Sequence, residues 1–199
     1  MKVLVACEYS GVVREAFKKV GCSAYSNDIL PTRIDGNHFQ MDIYDAIDAK
    51  DWDLIVMHVP CTALAVSGNA WYGDGMPKNH LRHEAVAWTK AVWEYACSKC
   101  PRVALENPVN VLGRMAGMKC TQYIQPWMFG HTESKKTGLW LKGLPKLTET
   151  CNMEAETKAL PKNVSQRMHY LPPSKDRGLL RSLTYQGIAD AMAEQWSKT

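Results

Sequence analysis

The chain contains no apolar run approaching the roughly 18 residues that a membrane-crossing helix requires, which leaves no expectation of a membrane partner. Glycine and proline are modest at 13 and 10, and neither an internal period nor a low-complexity tract appears, which excludes collagen-like, repeat and disordered classes. No secretory leader is expected in this stretch either: Leu4-Val5-Ala6-Cys7 imitates a lipoprotein signal, but the apolar run ends at Cys7-Glu8, short of roughly 7 to 15 residues, and a first strand is the better reading. The seven cysteines are odd in number and scattered, so a disulfide framework is not expected. Cys97-x2-Cys100 has no second pair to complete a zinc site, and no metal is expected. These absences together predict a cytoplasmic protein with reduced thiols.

Charge of either sign is also sparse overall, with a net of +4, but it is uneven. The first hundred residues carry 10 Lys and Arg against 12 Asp and Glu, the remainder 14 against 8, so any polyanion should meet the C-terminal half. What the chain does have is 46% hydrophobic residues over 199 positions, enough for one compact domain that buries about 70% of its unfolded surface.

Lys2 to Ala6 reads as a strand, and Val12, Val13, Ala16, Phe17 and Val20 recur at helical spacing up to Gly21, a C-terminal stop. Cys22 to Ser26 is a second strand ending at Asn27-Asp28, and Trp52 to Met57 a third. A long Gly/Pro/Asn-rich stretch from Val59 to Asn79 reads as a flexible functional loop. A helix follows over His80 to Ser98, with Ala85, Trp88, Val92, Tyr95 and Ala96 on one face. Further strands are predicted at Arg102 to Leu105, Gln122 to Phe129 and Gly138 to Leu141, and a closing helix at Gly187 to Trp196. Strands alternating with helices predict an α/β fold with a doubly wound, mostly parallel sheet. The polar stretch 142–178 is the one candidate for an inserted segment in a domain spanning 1–199.

In such sheets ligands bind beyond the carboxyl ends of the strands, which directs attention to Cys7 to Gly11, Asp28, His58 to Cys61 and Glu106 to Pro108. The first turn has one glycine, so it is no GxGxxG fingerprint, and an ordinary βα turn explains it equally well. Asp28 is placed to accept from both hydroxyls of a ribose, or to be a plain turn aspartate. Cys61, directly after a strand, is where a thiolate nucleophile could be presented, its pKa lowered by nearby helix N-termini; an inert thiol is the alternative. Glu106 is a carboxylate at a neighbouring strand end.

Taken together these residues resemble the DNA cytosine-5 methyltransferases, particularly their short phage and prophage forms. The resemblance runs through Val3 to Phe17, Asp28, Met41 to Ile43, Pro60-Cys61, Glu106 to Pro108, Lys135 to Leu141 and the segment from Arg181 to Trp196, in the family's order over nearly the whole chain. It implies a Rossmann-like methyltransferase domain that binds S-adenosyl-L-methionine at Glu8, Tyr9, Ser10 and Gly11, at Asp28 and Ile29, at Asp42 and Ile43, and at Pro60 and Thr184. Asp28 would take the ribose hydroxyls and Asp42 the adenine amine. The resemblance further implies Cys61 as the nucleophile on carbon 6 of a flipped cytosine, Glu106 as the acid on ring nitrogen 3 and the exocyclic amine, and Lys136 (or Lys135) near the cytosine oxygen. Trp71, Lys135, Lys162, Arg167, Lys175 and Arg177 are the candidate contacts to duplex DNA, with 142–178 as a small target-recognition segment and a monomer favoured.

The departures are specific. The family's PCQ reads Pro60-Cys61-Thr62, its ENV reads Glu106-Asn107-Pro108, and its arginines are lysines, which offer a point charge rather than a planar fork. Two rivals follow: an amino-methyltransferase using Asn107-Pro108, spoiled by Val109 and Asn110, and an inactive nucleic-acid-binding protein, which would have no need of Cys61, Glu106 and Asp28 together.

Overall fold

The computed structural model describes residues 1–198. Seven strands form one sheet: β1 (Lys2–Ala6), β2 (Ser23–Asp28), β3 (His38–Gln40), β4 (Leu54–Met57), β5 (Val103–Pro108), β6 (Gln122–Ile124) and β7 (Thr137–Lys142). Their spatial order is β3-β2-β1-β4-β5-β7-β6, with β7 antiparallel to both neighbours and the other pairings parallel. This is the doubly wound, mostly parallel α/β sheet that the alternation predicts.

The apolar runs of β1 and β4 are buried on both faces because helices cover both. Val3, Val5, Leu54 and Val56 point to one side, against α1 (Val12–Lys19) and the closing helix α10 (Gln186–Trp196). Leu4, Ala6, Ile55 and Met57 point to the other, against α2 (Ile43–Asp48), α4 (Asn79–Lys99) and α5 (Leu112–Ala116). Gly21, at φ +85°, ends α1 as expected: its N–H reaches the Lys18 carbonyl and that of Cys22 the Phe17 carbonyl, at 2.9 and 3.0 Å.

Three expectations are corrected. The α4 face against the sheet is Val86, Thr89, Val92 and Ala96; Ala85, Trp88 and Tyr95 flank it half-buried. The strand predicted from Gln122 to Phe129 stops at Ile124, because Pro126 has no N–H to give a ladder and opens a short 3-10 turn over Pro126–Met128. The stretch Val59 to Asn79 is not a loose loop. It holds a 3-10 turn at Val66–Gly68 and α3 (Asn69–Tyr72), both fastened by Arg82, which is 1% exposed. Arg82 donates to the carbonyls of Ala63 and Ala65 and to Asn69 Oδ1 at 2.7, 3.1 and 2.7 Å.

The stretch 142–178 lies along the sheet edge. Gln122 and Leu147 exchange two hydrogen bonds (2.7 and 2.8 Å), as do Thr148 and Gln195 (2.8 Å each). Beyond them come the short helices α6 (Glu154–Ala159), α7 (Lys162–Ser165) and α8 (Arg167–Tyr170), then α9 (Arg177–Ser182). No helix among the described residues is long and apolar enough to cross a membrane.

Candidate active site

The strand order reverses between β1 and β4, so the turn after β1 and the turn after β4 open side by side at the carboxyl edge of the sheet. At the first, Cys7 adopts φ +55° and the chain folds back into α1 through Gly11 at φ +77°. A Cβ on Gly11 would stand 2.9 Å from Arg14 Nη2 and 3.0 Å from Ile34 Cβ, so glycine is required there for space as well as conformation. Glu8 turns inward, accepting from the N–H groups of Val13 (2.7 Å) and Arg14 (3.3 Å) and from the Ser10 hydroxyl (3.0 Å). It caps α1 with its side chain, and burial raises its pKa against the opposing pull of His58 and these donors.

Asp28 and Asp42 come close enough to Cys7 that, with burial as the main cause, they help push its thiol up to about 12. Asp28, at the end of β2, accepts only the Leu30 N–H (3.0 Å) among the described residues, which leaves carboxylate lone pairs uncommitted. Asp42 Oδ1 caps α2 by accepting from Tyr44 N–H at 2.8 Å. Ile29 is 75% exposed beside Asp28, whereas the Ile43 side chain packs into the core, which leaves its backbone as what it can offer a ligand. Ser10 and Thr184 do meet, around a small cavity of about 30 Å³ lined also by Cys7, Glu8, Tyr9, His58 and Ser182. The Tyr9 hydroxyl donates to the Leu179 carbonyl (3.0 Å), drawing α9 over this end of the sheet.

At the second turn Cys61 leaves β4 after the exposed Pro60, and its carbonyl accepts from Leu64 and Ala65 (3.1 and 2.8 Å). Its thiol is pushed up by burial and by the charge of Glu106, and drawn back by Lys135 and Arg181, so the four groups share one locality. The thiolate-stabilising environment expected from helix N-termini is not what surrounds it. Glu106 lies on β5, where its register partner is Leu139 of β7. Burial acts to raise its pKa, but the hydrogen bond and charge of His58, with Lys135, hold it below the ordinary carboxylate value. His58 Nδ1 is 3.0 Å from Glu106 Oε2.

Of the two candidate lysines it is Lys135 that reaches this group; its ammonium donates to the Arg181 carbonyl at 2.9 Å. Lys136 instead stands over the Tyr123 ring, 4.4 Å from its centroid, because successive residues entering β7 point to opposite sides. Of the two lysines, the structure brings Lys135 and not Lys136 to Cys61 and Glu106. Two residues that the sequence reasoning did not single out belong here. His58 was visible only as a strand-end residue, and His169 is surrounded by Arg181, Lys135 and Arg177, which with burial as the leading cause lower its pKa.

Among the proposed DNA contacts, Trp71 on α3 is 65% exposed with the Lys78 ammonium 5.9 Å from its ring centroid. Lys162 and Lys175 are exposed. Arg167 is paired with Glu133 (2.8 Å), and Arg177 donates to the Leu171 carbonyl (2.8 Å). Asn107, by contrast, is buried and committed, donating to the Val59 carbonyl (2.9 Å) and accepting from Asn110 (3.0 Å). Among the described residues no group of three or more His, Cys, Asp or Glu could hold a metal ion.

No family model and no curated protein matches the chain. A solved E. coli structure described as a candidate DNA modification methyltransferase encoded within a prophage aligns with it at 12% identity and a TM-score of 0.45. The alignment covers 81% of this chain and 55% of that one, so the chain spans about half the length of that protein.

Proposed function

We propose that this protein is a DNA cytosine-5 methyltransferase, using S-adenosyl-L-methionine and a covalent cysteine mechanism on a flipped cytosine. The observation that carries the reading is the gathering of Cys61, Glu106 and Lys135 at the carboxyl ends of β4 and β5, next to the Cys7–Gly11 turn and Asp28. The residues present fit the cofactor: Asp28 keeps free acceptors for ribose hydroxyls, and Gly11 admits close backbone approach. Filling the small cavity beside them requires Ser182 and Thr184 to give way. When bound there, the cofactor supplies an electrophilic methyl group.

This chain's own residues do the rest. Cys61 sulfur bonds to cytosine carbon 6 while its proton leaves, through the neighbouring Glu106 carboxylate, for ring nitrogen 3. Lys135 supplies a positive charge for the cytosine oxygen. After carbon 5 accepts the methyl group it gives its proton to solvent, the electron pair re-forms the 5,6 double bond and expels the Cys61 thiolate, and nitrogen 3 returns its proton through Glu106 to the thiolate. The target base must leave the stack to reach these groups. Arg181, with the exposed Lys162 and Lys175, offers positive charge for the flanking phosphates. We assign 142–178 as the target-recognition segment of a single, monomeric domain acting on duplex DNA in the cytoplasm of a cell, a phage host in the prophage-type reading.

The amino-methyltransferase rival is disfavoured by Asn107, whose amide is spent inside the fold. Incubation with methyl-labelled S-adenosylmethionine and unmodified DNA, followed by digestion to nucleosides, tests the proposal. Label on 5-methylcytosine is expected; label on an exocyclic amine, or none, overturns it.

A further inference from the structure

His58 is the group that joins the two halves of this site, and the reading rests on the proposed function. Its side chain is 7% exposed. Nδ1 lies 3.0 Å from Glu106 Oε2, and an ionised carboxylate can only accept, so Nδ1 carries the hydrogen. Nε2, at the other end of the ring, is buried and has no hydrogen-bond partner. The ring lines the cavity formed by Cys7, Glu8, Tyr9, Ser10 and Thr184, all on the cofactor side of the sheet edge. A buried polar atom without a partner is costly, and one that faces a ligand cavity is most simply completed by the ligand.

We infer that His58 is a positioning residue with two assignments: through Nδ1 it fixes the Glu106 carboxylate for the base, and through Nε2 it hydrogen-bonds a polar group of the small molecule bound between β1 and β4. Nε2 accepts from a ligand N–H while the ring is neutral and donates to a ligand oxygen when the ring is charged, so the matching group is one that carries both, such as the ammonium and carboxylate of an amino-acid moiety. Ligand binding on one side thereby orders the acid on the other, without His58 touching the reacting atoms.

His58→Asn retains an amide N–H donor near the Nδ1 position, and His58→Gln places an amide near Nε2 whose oxygen accepts and whose N–H donates, which separates the assignments. Calorimetric titration of the full chain with S-adenosylhomocysteine, without DNA, reads the Nε2 side: His58→Asn should bind about tenfold more weakly, the scale of one lost buried hydrogen bond, and His58→Gln within about threefold of the parent. The rate of covalent trapping on duplex DNA containing 5-fluorocytosine, at saturating S-adenosylmethionine, reads the Glu106 side, and there the ranking should reverse. Nitrogen-15 NMR of the parent ring needs no variant to fold: Nδ1 should stay protonated, and the Nε2 resonance should move on addition of S-adenosylhomocysteine. Equal losses by both variants in both measurements, or an unmoved Nε2 resonance, overturn the inference. A parent that traps no 5-fluorocytosine sinks the cytosine-5 reading instead, and the titration and the Nε2 resonance then still decide the role of His58.

Discussion

At the scale of single residues the proposed chemistry turns on how Cys61 loses its proton. Burial and the Glu106 charge hold the thiol above its ordinary value while Lys135 and Arg181 oppose them, so at neutral pH the resting group is the thiol and its thiolate fraction grows as pH rises. Replacing Glu106 by Gln removes a raising influence and should shift the alkylation midpoint of Cys61 downward. Lys135→Met removes a lowering one and should shift it upward. Iodoacetamide labelling across pH, read by mass spectrometry of the Cys61 peptide, checks both signs, and shifts in the reverse directions would show that these charges do not act on the thiol. Cys61→Ala should abolish methyl transfer while S-adenosylhomocysteine binding stays near the parent value, since the thiol acts on the base. Asp28→Ala should weaken that binding by about 1.5 to 3 kcal/mol, the scale of hydrogen bonds to a charged group; an unchanged dissociation constant would reduce Asp28 to its hydrogen bond with Leu30 N–H.

At the scale of elements, buried arginines fix what composition reads as loop. Arg82 holds the segment after Cys61 on α4, and Arg14, fully buried, holds the crossing from β2 to β3 through Ser26 Oγ (3.0 Å) and the Ile34 carbonyl (2.5 Å). Arg82→Met leaves three acceptors without their charged donor and should cost about 3 kcal/mol, lowering Tm by roughly 6 to 12 °C in a chain of this size. Hydrogen exchange should rise over residues 62–72 first; uniform exchange would show that the segment is held by something else. The sheet itself was legible from alternation because both of its faces are covered and its central strands β1 and β4 are continuous apolar runs. Segments that depend on partners distant in sequence were not legible. Three-residue β3 carries no period, and the clamp by Arg82 is a charged residue on a helix face that pattern reading assigns to solvent. The site was half legible for the same reason: Cys61 and Glu106 stand at strand ends, whereas the choice of Lys135 over Lys136 follows from the phase at which the chain enters β7. His58 required knowledge that β4 and β5 are neighbours.

At the scale of the whole molecule the proposed function raises the question of how much DNA such a protein would read. Direct readout requires side chains delivered to base edges, each bidentate contact contributing about 1 to 3 kcal/mol, and 142–178 is a short segment sewn to β6 and α10 by its own hydrogen bonds. Its charge is also less available than its composition suggests. Lys158 is paired with Glu154 at 2.9 Å and Arg167 with Glu133 at 2.8 Å, and Arg177 is spent on backbone carbonyls, which leaves Lys146, Lys162 and Lys175 in the segment, with Arg181 just beyond it, as the cations for phosphate. About three or four neutralised phosphates give a slope of log affinity against log salt near −3 to −4. The expected outcome is modest affinity, a recognition site of about two to four base pairs, and frequent methylation on any duplex. Fluorescence anisotropy across a salt series measures the slope, and bisulfite sequencing of an exhaustively methylated plasmid measures the site. A slope near −8 would mean that a basic surface outside this segment holds the duplex, and a unique site of six or more pairs would place recognition on residues assigned here to the methyltransferase core.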